Sequence, residues 1–429
     1  MVTEKYLAAC ATEGGGLRDV MAEAEFPAVF TEAWEKYLLP RPLFSEEGRT
    51  RRAAADLAGL FTLMASLPDR LFDGDRRKFC AAIGADERRT ALMTALGGEP
   101  HLYGRADLYD DGTRFRLLEF NIGSELGGVD VSEVNRVLLA HPEFAEFAGE
   151  HGLSHVDTPA AIARQFVRAT QKEAPVVATL EAIGGLMAYE PLHRSFQETM
   201  KRCGIELLLG EVDQVEVKGD RLFLHGRPID LVLRYYSVNQ LARDPRNDVH
   251  AETVMRAHED GKVVLWTPLS STMLSYKSCL PLISDPDLCG DLTPDENALI
   301  ERILPWTRTL TPGLVEQVRA EREELILKPF AGLAGRGIHA GWDQTDREWA
   351  ETISDCLDRD HIVQRRVVPV REPVMDPASG AVQDWLVVWG LFVFPEEYGG
   401  ASCRAVPSGG TSVVNLGSKG AKVASAFHY

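Results

Sequence analysis

The chain has 429 residues, of which 45% are hydrophobic and 26% are charged, and its formal net charge is -18. This length allows two or three domains, and the composition is that of a folded globular protein, so it excludes an intrinsically disordered chain. The negative charge disfavours nucleic acid and anionic lipid as partners, because both carry charge of the same sign.

Localisation and redox state follow from what the sequence lacks. No run of eighteen apolar residues occurs, and the first residues show no basic segment followed by an apolar core, so we expect a cytoplasmic protein with no membrane segment. The seven cysteines are scattered and include no C-x-x-C pair, so we expect reduced thiols. The sequence has no H-E-x-x-H motif, which disfavours a zinc hydrolase.

In chain order, the first predicted element is a helical segment from about residue 26 to residue 84. Apolar residues recur there at helical spacing, and the two prolines of LPRPLF interrupt the pattern. The stretch GRADLYDDGTRFRLLEFN then alternates around an Asp-Asp-Gly-Thr turn, which predicts a β-hairpin over about 103–121. Helical sequence follows from about 131 to 149.

An α/β unit is predicted next. PVVATLEAI indicates a buried strand, YEPLHRSFQETMKRCG a helix that ends at a glycine, and IELLLGEV a second strand. VEVKGDRLFLHG predicts another hairpin and IDLVLRYY another strand. In the final third, a glycine loop and a helix separate three strand-like runs, ELILKPF, HIVQRRVVPV and DWLVVWGLFVF.

The first hairpin carries polar side chains at period-two spacing. Arg105 and Asp107 lie two residues apart on one strand, and Glu119 and Asn121 on the next, so each pair lies on one face. Two carboxylates and an amide oxygen suit Mg²⁺, which typically binds through carboxylates together with substrate phosphates. A solvent-facing surface with charge pairs across the strands is the alternative. The apolar neighbours of Glu119 argue against it, because an unpaired buried carboxylate is costly.

A shared metal site also requires a particular hairpin register. A two-residue turn at Asp111 and Gly112 would make Asp107 face away from Glu119. A three-residue loop would put both on one face but leave them roughly 13 Å apart, at about 3.3 Å per residue. Either a longer, odd-length tip centred near Thr113 or a β-bulge that shifts the register would bring Asp107 nearly opposite Glu119, and of these we predict the longer tip.

A second candidate motif is LILKPFAGLAGRGI, in which a short apolar run leads to Lys328 and then to Gly332, Gly335 and Gly337. Glycines let the backbone approach an anion and present N–H donors to it, while the lysine adds a point charge. The stretch matches neither the P-loop pattern nor the dinucleotide fingerprint. A plain hairpin turn is therefore the alternative to a phosphate-binding loop.

These motifs stand in a distinctive order along the chain. R-x-D, a turn and LLEFN precede LWTPLSSTMLSYKSCLPLI, ILKPFAGLAGRGI, IVQRRV and GGASCR. In this order, from about residue 50 onward, they resemble the glutathionylspermidine synthase family and, more broadly, the circularly permuted ATP-grasp carboxylate–amine ligases. In that permuted group the metal-binding E-x-N precedes the nucleotide-binding lysines, as it does here.

The resemblance implies an α/β (α+β) fold with an ATP-grasp core in circularly permuted order, a pre-ATP-grasp α/β domain and a helical N-terminal segment. The predicted domains are the helical segment at 1–100, the metal-binding hairpin and helix at 101–155, the pre-ATP-grasp domain at 156–262, and the nucleotide-binding lobes at 263–429.

The resemblance also implies roles for residues around the reacting phosphate. Asp107, Glu119 and Asn121 match the family's Mg²⁺ ligands, with two ions expected. Arg105 matches an arginine that stabilises charge on the transferred phosphoryl group, and Arg404 is a candidate for a phosphate or substrate contact. A structural ion pair is the alternative for Arg404.

ATP itself is expected to be held by a second group of residues. The two lysines contact phosphates, and the glycine-loop residues close over them. The strand that carries Gln364 links the two lobes and borders the adenine, with backbone contacts expected at 365–367. The residues of this second group are Lys277, Lys328, Ala334, Gly335, Gln364 and Val367. The alternatives are a surface lysine at 277 and a polar residue at a sheet edge at 364.

Substrate contacts are predicted in two loops. The sequence after Asn121, IGSELGGVD, differs from the family's usual ADTPTS and contributes Ser124 and Glu125. RYYSVNQL follows a strand and places Arg234 and Asn239 where they could hold an amino-acid carboxylate, although its tyrosines equally suit core packing. The identity of the substrates is therefore left open.

Two functions remain as hypotheses. The first is an ATP- and Mg²⁺-dependent ligase that joins a small-molecule carboxylate to an amine, such as a glutamyl or other amino-acid conjugate. The second is a non-catalytic ATP-grasp-like nucleotide-binding or scaffold protein. The joint presence of the predicted metal ligands, Arg105 and the two lysines favours the enzyme. The sequence does not decide the oligomeric state.

Overall fold

The protein contains both helices and strands, and a computed structural model describes its residues 1–12, 16–96, 98–332, 335–409 and 413–429. The helices are α1 (Val2–Ala11), α2 (Val20–Glu23), α3 (Ala28–Trp34), α4 (Glu47–Ala65), α5 (Leu67–Phe72), α6 (Arg76–Ala82), α7 (Glu87–Met93), α8 (Glu133–Ala140), α9 (Pro142–Glu150), α10 (Thr158–Thr170), α11 (Glu190–Arg202), α12 (Val238–Arg243), α13 (Asp248–Glu259), α14 (Cys279–Ser284), α15 (Pro294–Ile303), α16 (Val315–Ala320) and α17 (Asp346–Leu357).

The strands agree with most of the strand-like runs of the sequence. They are β1 (Leu43–Ser45), β2 (Gly104–Asp110), β3 (Phe115–Ile122), β4 (Val176–Glu181), β5 (Glu206–Glu211), β6 (Val215–Lys218), β7 (Arg221–Leu224), β8 (Arg227–Ile229), β9 (Leu231–Arg234), β10 (Val264–Trp266), β11 (Thr307–Thr309), β12 (Leu325–Pro329), β13 (His339–Ala340), β14 (His361–Arg365), β15 (Arg371–Met375), β16 (Val382–Phe394), β17 (Glu397–Pro407) and β18 (Lys422–His428).

The largest sheet has seven strands in the order β1-β18-β17-β16-β2-β3, with β15 also paired to β16. All its pairings are antiparallel except that of β1 with β18. Strand β1 lies within the segment predicted to be helical. With three residues it is too short to show an alternating pattern, and it exists because β18, from the other end of the chain, supplies its partner.

The predicted α/β unit forms a parallel four-stranded sheet in the order β10-β9-β4-β5. Its inner strands are buried on both faces: Val177 and Leu231 belong to one core cluster, and Ala178 and Val232 to another. Such two-sided burial explains the continuous apolar runs of the sequence. The predicted hairpin beyond it becomes a three-stranded sheet of β6, β7 and β8.

A smaller antiparallel sheet in the order β11-β14-β12-β13 forms the third unit, which we call the glycine-loop lobe. Helix α17 covers one face of this lobe. It begins with a capping box between Thr345 and Glu348, and it packs Trp349 and Ile353 on the sheet's apolar side chains. The opposite face turns Lys328 towards β3, so that the lobe and the large sheet face each other across a cavity.

Among the described residues, no helix combines the length and the apolar composition that crossing a bilayer requires.

Replacing Trp349 with alanine tests the packing of the glycine-loop lobe. The side chain is completely buried, and its Nε1 donates a hydrogen bond to the Val318 carbonyl oxygen at 2.9 Å. We expect Trp349→Ala to lower the free energy of unfolding of the lobe by about 3–5 kcal/mol, because it leaves a large cavity and an unpaired carbonyl. Chemical denaturation followed by circular dichroism measures this loss.

The control is Arg347→Ala on the same helix, where the side chain is 89% exposed. We expect it to change stability by no more than about 0.5 kcal/mol. Equal losses in the two variants would contradict the assignment of α17 as the covering helix of the lobe.

Candidate functional site

The β2–β3 hairpin places the predicted metal ligands side by side. Asp107 pairs directly with Glu119, and Arg105 with Asn121. A β-bulge follows the Asp107–Glu119 pair, and Asp110 then pairs with Phe115, so residues 111–114 form the connection. The predicted proximity of the two carboxylates is confirmed. The odd-length tip is wrong, because the connection has an even number of residues and the bulge shifts the register instead.

Side-chain hydrogen bonds shape this hairpin tip. The Asp110 carboxylate accepts a hydrogen bond from the Gly112 N–H, and the Asp111 carboxylate accepts from the N–H groups of Thr113 and Arg114. Gly112 has a φ of 91°, a conformation that favours glycine. The Asp-Asp-Gly-Thr sequence therefore specifies the turn, while the bulge that aligns the carboxylates lies farther along the strand.

Oppositely charged side chains crowd around the hairpin, and we call the group the charge cluster. Its members come from β2, β3, the segment before α14, β12 and β17. They are Arg105, Asp107, Glu119, Lys277, Lys328 and Arg404.

Glu119 is the centre of the charge cluster. Its Oε2 lies 2.9 Å from Nζ of Lys277, and Asn121 Nδ2 lies 3.5 Å from Oε1. Burial alone would raise the pKa of Glu119, but the charge and hydrogen bond of Lys277, assisted by Lys328 and Arg404, lower it to about 2. The carboxylate is therefore ionised at neutral pH despite its apolar neighbours in sequence.

Lys328 reaches the cluster from the opposite lobe. Its Nζ donates to Oε1 of Gln364 at 2.7 Å and to the Leu118 carbonyl oxygen at 3.0 Å. Burial lowers the pKa of Lys328 to about 8, and the charge of Lys277 acts in the same direction while Glu119 opposes it. An anion that entered beside this lysine would relieve the cost of burying its charge.

Asp107 organises the two arginines. Arg105 Nε lies 3.2 Å from Oδ1 of Asp107, and Arg404 Nη2 contacts the same oxygen. Arg105 Nη1 also donates to the Gly127 carbonyl oxygen at 2.9 Å. Burial, together with repulsion from Arg404, lowers the pKa of Arg105. Two guanidinium groups thus share one carboxylate, which leaves them able to bind a second anion.

Gly390 lets Arg105 lie across the sheet. It stands opposite Asp107 on β16, and a Cβ there would lie 2.4 Å from the Ser402 carbonyl oxygen and 3.0 Å from Cδ of Arg105. Any larger residue would therefore push the strands apart or displace the arginine. The role of Gly390 could not be predicted from the sequence, since a glycine inside an apolar strand indicates only that another group approaches the backbone closely.

The space between the large sheet and the glycine-loop lobe, which we call the inter-sheet cavity, has a volume of about 190 Å³. Predicted site residues that line it are Arg105, Asp107, Glu119, Asn121, Lys328, Gly335, Gln364, Val367 and Arg404. Ala334, predicted to belong to the glycine loop, lies outside the described residues. Residues from distant parts of the sequence thus meet at one cavity.

Several lining residues were not identified from the sequence. Val388, Ile338 and Val414 give the inter-sheet cavity apolar walls, and Trp342 and Asn415 also line it. The Arg366 guanidinium lies 4.2 Å from the centroid of the Trp342 ring. Ile338 and Trp342 carried a usable signal, because they closely follow the glycine loop. Val388 comes from β16, and Val414 and Asn415 come from a C-terminal segment, so their positions depend on the whole fold.

A neighbouring cavity of about 210 Å³ shares Arg105, Asn121 and Gly332 with the inter-sheet cavity. We call it the second cavity. Lys277 lines it, as do Glu125 and Asn239, which were predicted to bind substrate. Asn239 accepts a hydrogen bond from Arg89 Nε at 2.9 Å.

Ser124 and Arg234 were also predicted to bind substrate, but both are completely buried and do not line the second cavity. Arg234 Nη2 lies 2.9 Å from Oε2 of Glu125, and Ser124 Oγ donates to the Arg234 carbonyl oxygen at 2.6 Å. In this structure Arg234 pairs with Glu125, and Ser124 in turn bonds to Arg234. Direct contact of either residue with a substrate would require it to become accessible.

The pKa of Lys328 leads to a prediction for the pH dependence of stability. The folded-state pKa of Lys328, about 8, is below the ordinary lysine value of 10.5, so between these values the unfolded chain binds the extra proton. Lys328 should therefore make the free energy of unfolding rise with pH from about 8 to 10.5. In Lys328→Met this component should be absent, whereas Lys201→Met, whose side chain is 76% exposed, should retain it.

Denaturant unfolding at a series of pH values measures the difference between wild type and each variant. An identical slope in wild type and Lys328→Met would show that Lys328 does not titrate in this range.

Comparisons with known proteins point to the fold. No protein-family profile and no curated protein matches the chain. Among solved structures, the chain is similar to a glutathione synthetase-like effector from Globodera pallida in its apo form, with a TM-score of 0.57 and 11% identity over 91% of this chain and 90% of that one.

A second similar structure carries the description of a gamma-glutamylcysteine synthetase, from Methylobacillus flagellatus KT, with 13% identity over 88% of each chain. Its TM-score of 0.44 is too low to support an argument. The similarity to the effector spans nearly the full length of both proteins. The chain therefore has a mixed α/β fold similar to that of a glutathione synthetase-like protein.

Proposed function

We propose that the protein is an ATP-dependent carboxylate–amine ligase of the circularly permuted ATP-grasp type. The observation that carries this proposal is the charge cluster at the inter-sheet cavity. Its four cationic side chains face two carboxylates, so four positive charges minus two negative charges leave two positive charges. In a chain with a net charge of -18, such a concentration of positive charge indicates a specific site for a polyanion.

We infer ATP as the polyanion because the inter-sheet cavity combines apolar walls with cationic side chains. The apolar side chains of Ile338, Val388 and Val414 suit an adenine ring, and Val367 lines the same cavity. Lys328 lines the inter-sheet cavity and Lys277 the adjoining second cavity, so a triphosphate that reached both would gain charge-assisted hydrogen bonds.

The oxygen donors of the hairpin suit Mg²⁺. Asp107 and Glu119 are paired across the strands, and Asn121 follows on the same face, so two carboxylates and an amide are available as hard ligands. In the structure Lys277 and Arg404 contact these carboxylates, and their charges compensate them as a bound cation would. Bound Mg²⁺ would neutralise charge on the phosphate oxygens during transfer.

The reaction that follows is acyl activation. A substrate carboxylate oxygen attacks the γ-phosphorus of ATP, the bond to the ADP oxygen breaks, and an acylphosphate and ADP form. A neutral amine then attacks the acyl carbon, inorganic phosphate leaves, and the nitrogen loses a proton as the amide forms. Arg105 and Arg404 would stabilise charge on the transferred group, so catalysis rests on positioning and electrostatics.

We assign the carboxylate and amine substrates to the second cavity. It meets the inter-sheet cavity beside Arg105, and Glu125 and Asn239 supply polar groups along its walls. Glu125 could hold a cationic amine, and Asn239 a carboxylate. The similarity of fold to a glutathione synthetase-like effector supports amino acids as the substrate class.

A phosphate-release screen tests the proposal. The protein is incubated with ATP, Mg²⁺ and all pairs of common amino acids and polyamines, and products are identified by mass spectrometry. A pair that stimulates phosphate release and yields its amide supports the ligase. ATP binding with no stimulation by any pair would favour a non-catalytic nucleotide-binding protein.

Glu119 provides the sharpest mutational test. We expect Glu119→Ala to reduce Mg²⁺-dependent ATP turnover by roughly a hundredfold or more, because it removes a carboxylate that metal and phosphates would share. Glu119→Gln, which keeps the size of the side chain, should lose activity to a similar extent. Steady-state phosphate release measures both effects.

Glu396→Ala is the matched control, because this glutamate is 73% exposed and pairs with Arg168 on the surface. It should leave turnover unchanged, and thermal melting should show that all three variants fold. Full activity in Glu119→Ala would remove the basis of the ligase proposal.

A further inference from the structure

Three potential metal ligands meet at the edge of the glycine-loop lobe, away from the charge cluster. His339 lies on β13, Cys356 near the end of α17, and His361 at the start of β14. One ring nitrogen from each histidine and the Cys356 Sγ all lie within 4.8 Å of one another. Imidazole and thiolate ligands are the combination that zinc-class ions prefer.

Strand pairing explains why these side chains meet. On β12, Leu327 pairs with His339 of β13, and Pro329 pairs with His361 of β14. Paired residues share a face, and so do residues two apart on one strand, so both histidines lie on the face that α17 covers. Cys356 belongs to the core between that helix and the sheet. The arrangement is thus fixed by three elements of the lobe.

His361 has a backbone partner of the kind that metal-bound histidines use. Its Nδ1 contacts the carbonyl oxygen of Arg359, which can only accept a hydrogen bond. With the proton on Nδ1, Nε2 has a lone pair available for a metal. A backbone carbonyl beside one ring nitrogen is a common outer-shell partner of a histidine ligand.

The cluster opens towards a third cavity, of about 760 Å³, which all three residues line. Cys356 itself is buried, and burial raises the pKa of its thiol to about 11. The free thiol is therefore protonated at neutral pH, and a bound metal would displace the proton into solvent. The cavity gives an ion a route to the ligands and room for a water molecule as a fourth ligand.

We propose that His339, Cys356 and His361 form a binding site for one divalent transition-metal ion of the zinc class, with a water from the third cavity as the fourth ligand. Bond lengths of roughly 2.0–2.3 Å place tetrahedral ligand atoms roughly 3.3–3.6 Å apart, so the side chains need to approach by about 1 Å. This site uses soft ligands, whereas the charge cluster offers hard oxygen ligands. It does not depend on the proposed ligase activity.

Binding would connect β13, β14 and α17 beside the segment that leads out of the glycine loop. The ion would stabilise the folded lobe by mass action, since the ligands converge only when the strands pair. We therefore expect Zn²⁺ to raise the melting temperature of the metal-free protein, and Cys356→Ala to abolish that rise.

Titration of the chelator-stripped full chain with Co²⁺ alone tests the site. Binding at Cys356 should give a thiolate-to-metal charge-transfer band and the intense visible bands of tetrahedral Co²⁺, saturating at one ion per chain, and Zn²⁺ should displace it. Co²⁺ bound to the carboxylates of the charge cluster cannot give the charge-transfer band, because that cluster contains no sulfur.

The variants are Cys356→Ala and His339→Gln, with Cys203→Ala as control, since Cys203 is a half-buried free cysteine at the end of α11. We expect the charge-transfer band to vanish in the first and weaken at least tenfold in apparent affinity in the second, with the control unchanged. His339 is partly exposed, so its variant should fold even if Cys356→Ala does not. No band in the wild type, or a band unaffected by either variant, would overturn the proposal.

Discussion

The ion pair between Glu119 and Lys277 is the interaction on which the site depends. A carboxylate among apolar residues of β3 is tolerable because lysines from two other segments lie beside it. Those lysines in turn need the carboxylate, since Lys328 is buried and already has a pKa near 8. Attraction between Glu119 and the two lysines therefore joins the hairpin to the segment before α14 and to the glycine-loop lobe. A triphosphate with its metal could replace part of this compensation, which is why the same contacts suit a binding site.

The register of the β2–β3 hairpin is the clearest case in which the residue types of the sequence predicted a feature of the structure. A shared metal site required Asp107 opposite Glu119, and a bulge after this pair provides that register. The type of irregularity could not be decided from the sequence, because the Asp-Asp-Gly-Thr turn is compatible with several loop lengths. Strand β1 could not be predicted either, since three residues carry no periodic signal and its partner β18 is almost four hundred residues away. The apolar run of β4, by contrast, correctly indicated a buried strand, and that of β9 correctly indicated a strand.

Local sequence could not distinguish residues that line a cavity from residues that support them. Arg234 ends strand β9 and was predicted to hold a carboxylate, yet it is completely buried and pairs with Glu125. The cluster of His339, Cys356 and His361 is the opposite case, because these residues meet in the structure although the sequence did not indicate a site there. Its members match no zinc-binding spacing, because two strands separated by β12 and a helix above them create the proximity. Both cases depend on packing between elements, which the spacing of residues along the chain does not encode.

We propose that the inter-sheet cavity binds Mg²⁺ and ATP through the charge cluster. A crystal structure of the protein grown with Mg²⁺ and a non-hydrolysable ATP analogue tests this binding site. We expect the adenine against Val388 and Val367, the phosphates beside Lys277 and Lys328, and metal density at Asp107 and Glu119. A nucleotide bound elsewhere, or an unchanged Glu119–Lys277 pair with an empty cavity at saturating analogue, would contradict it.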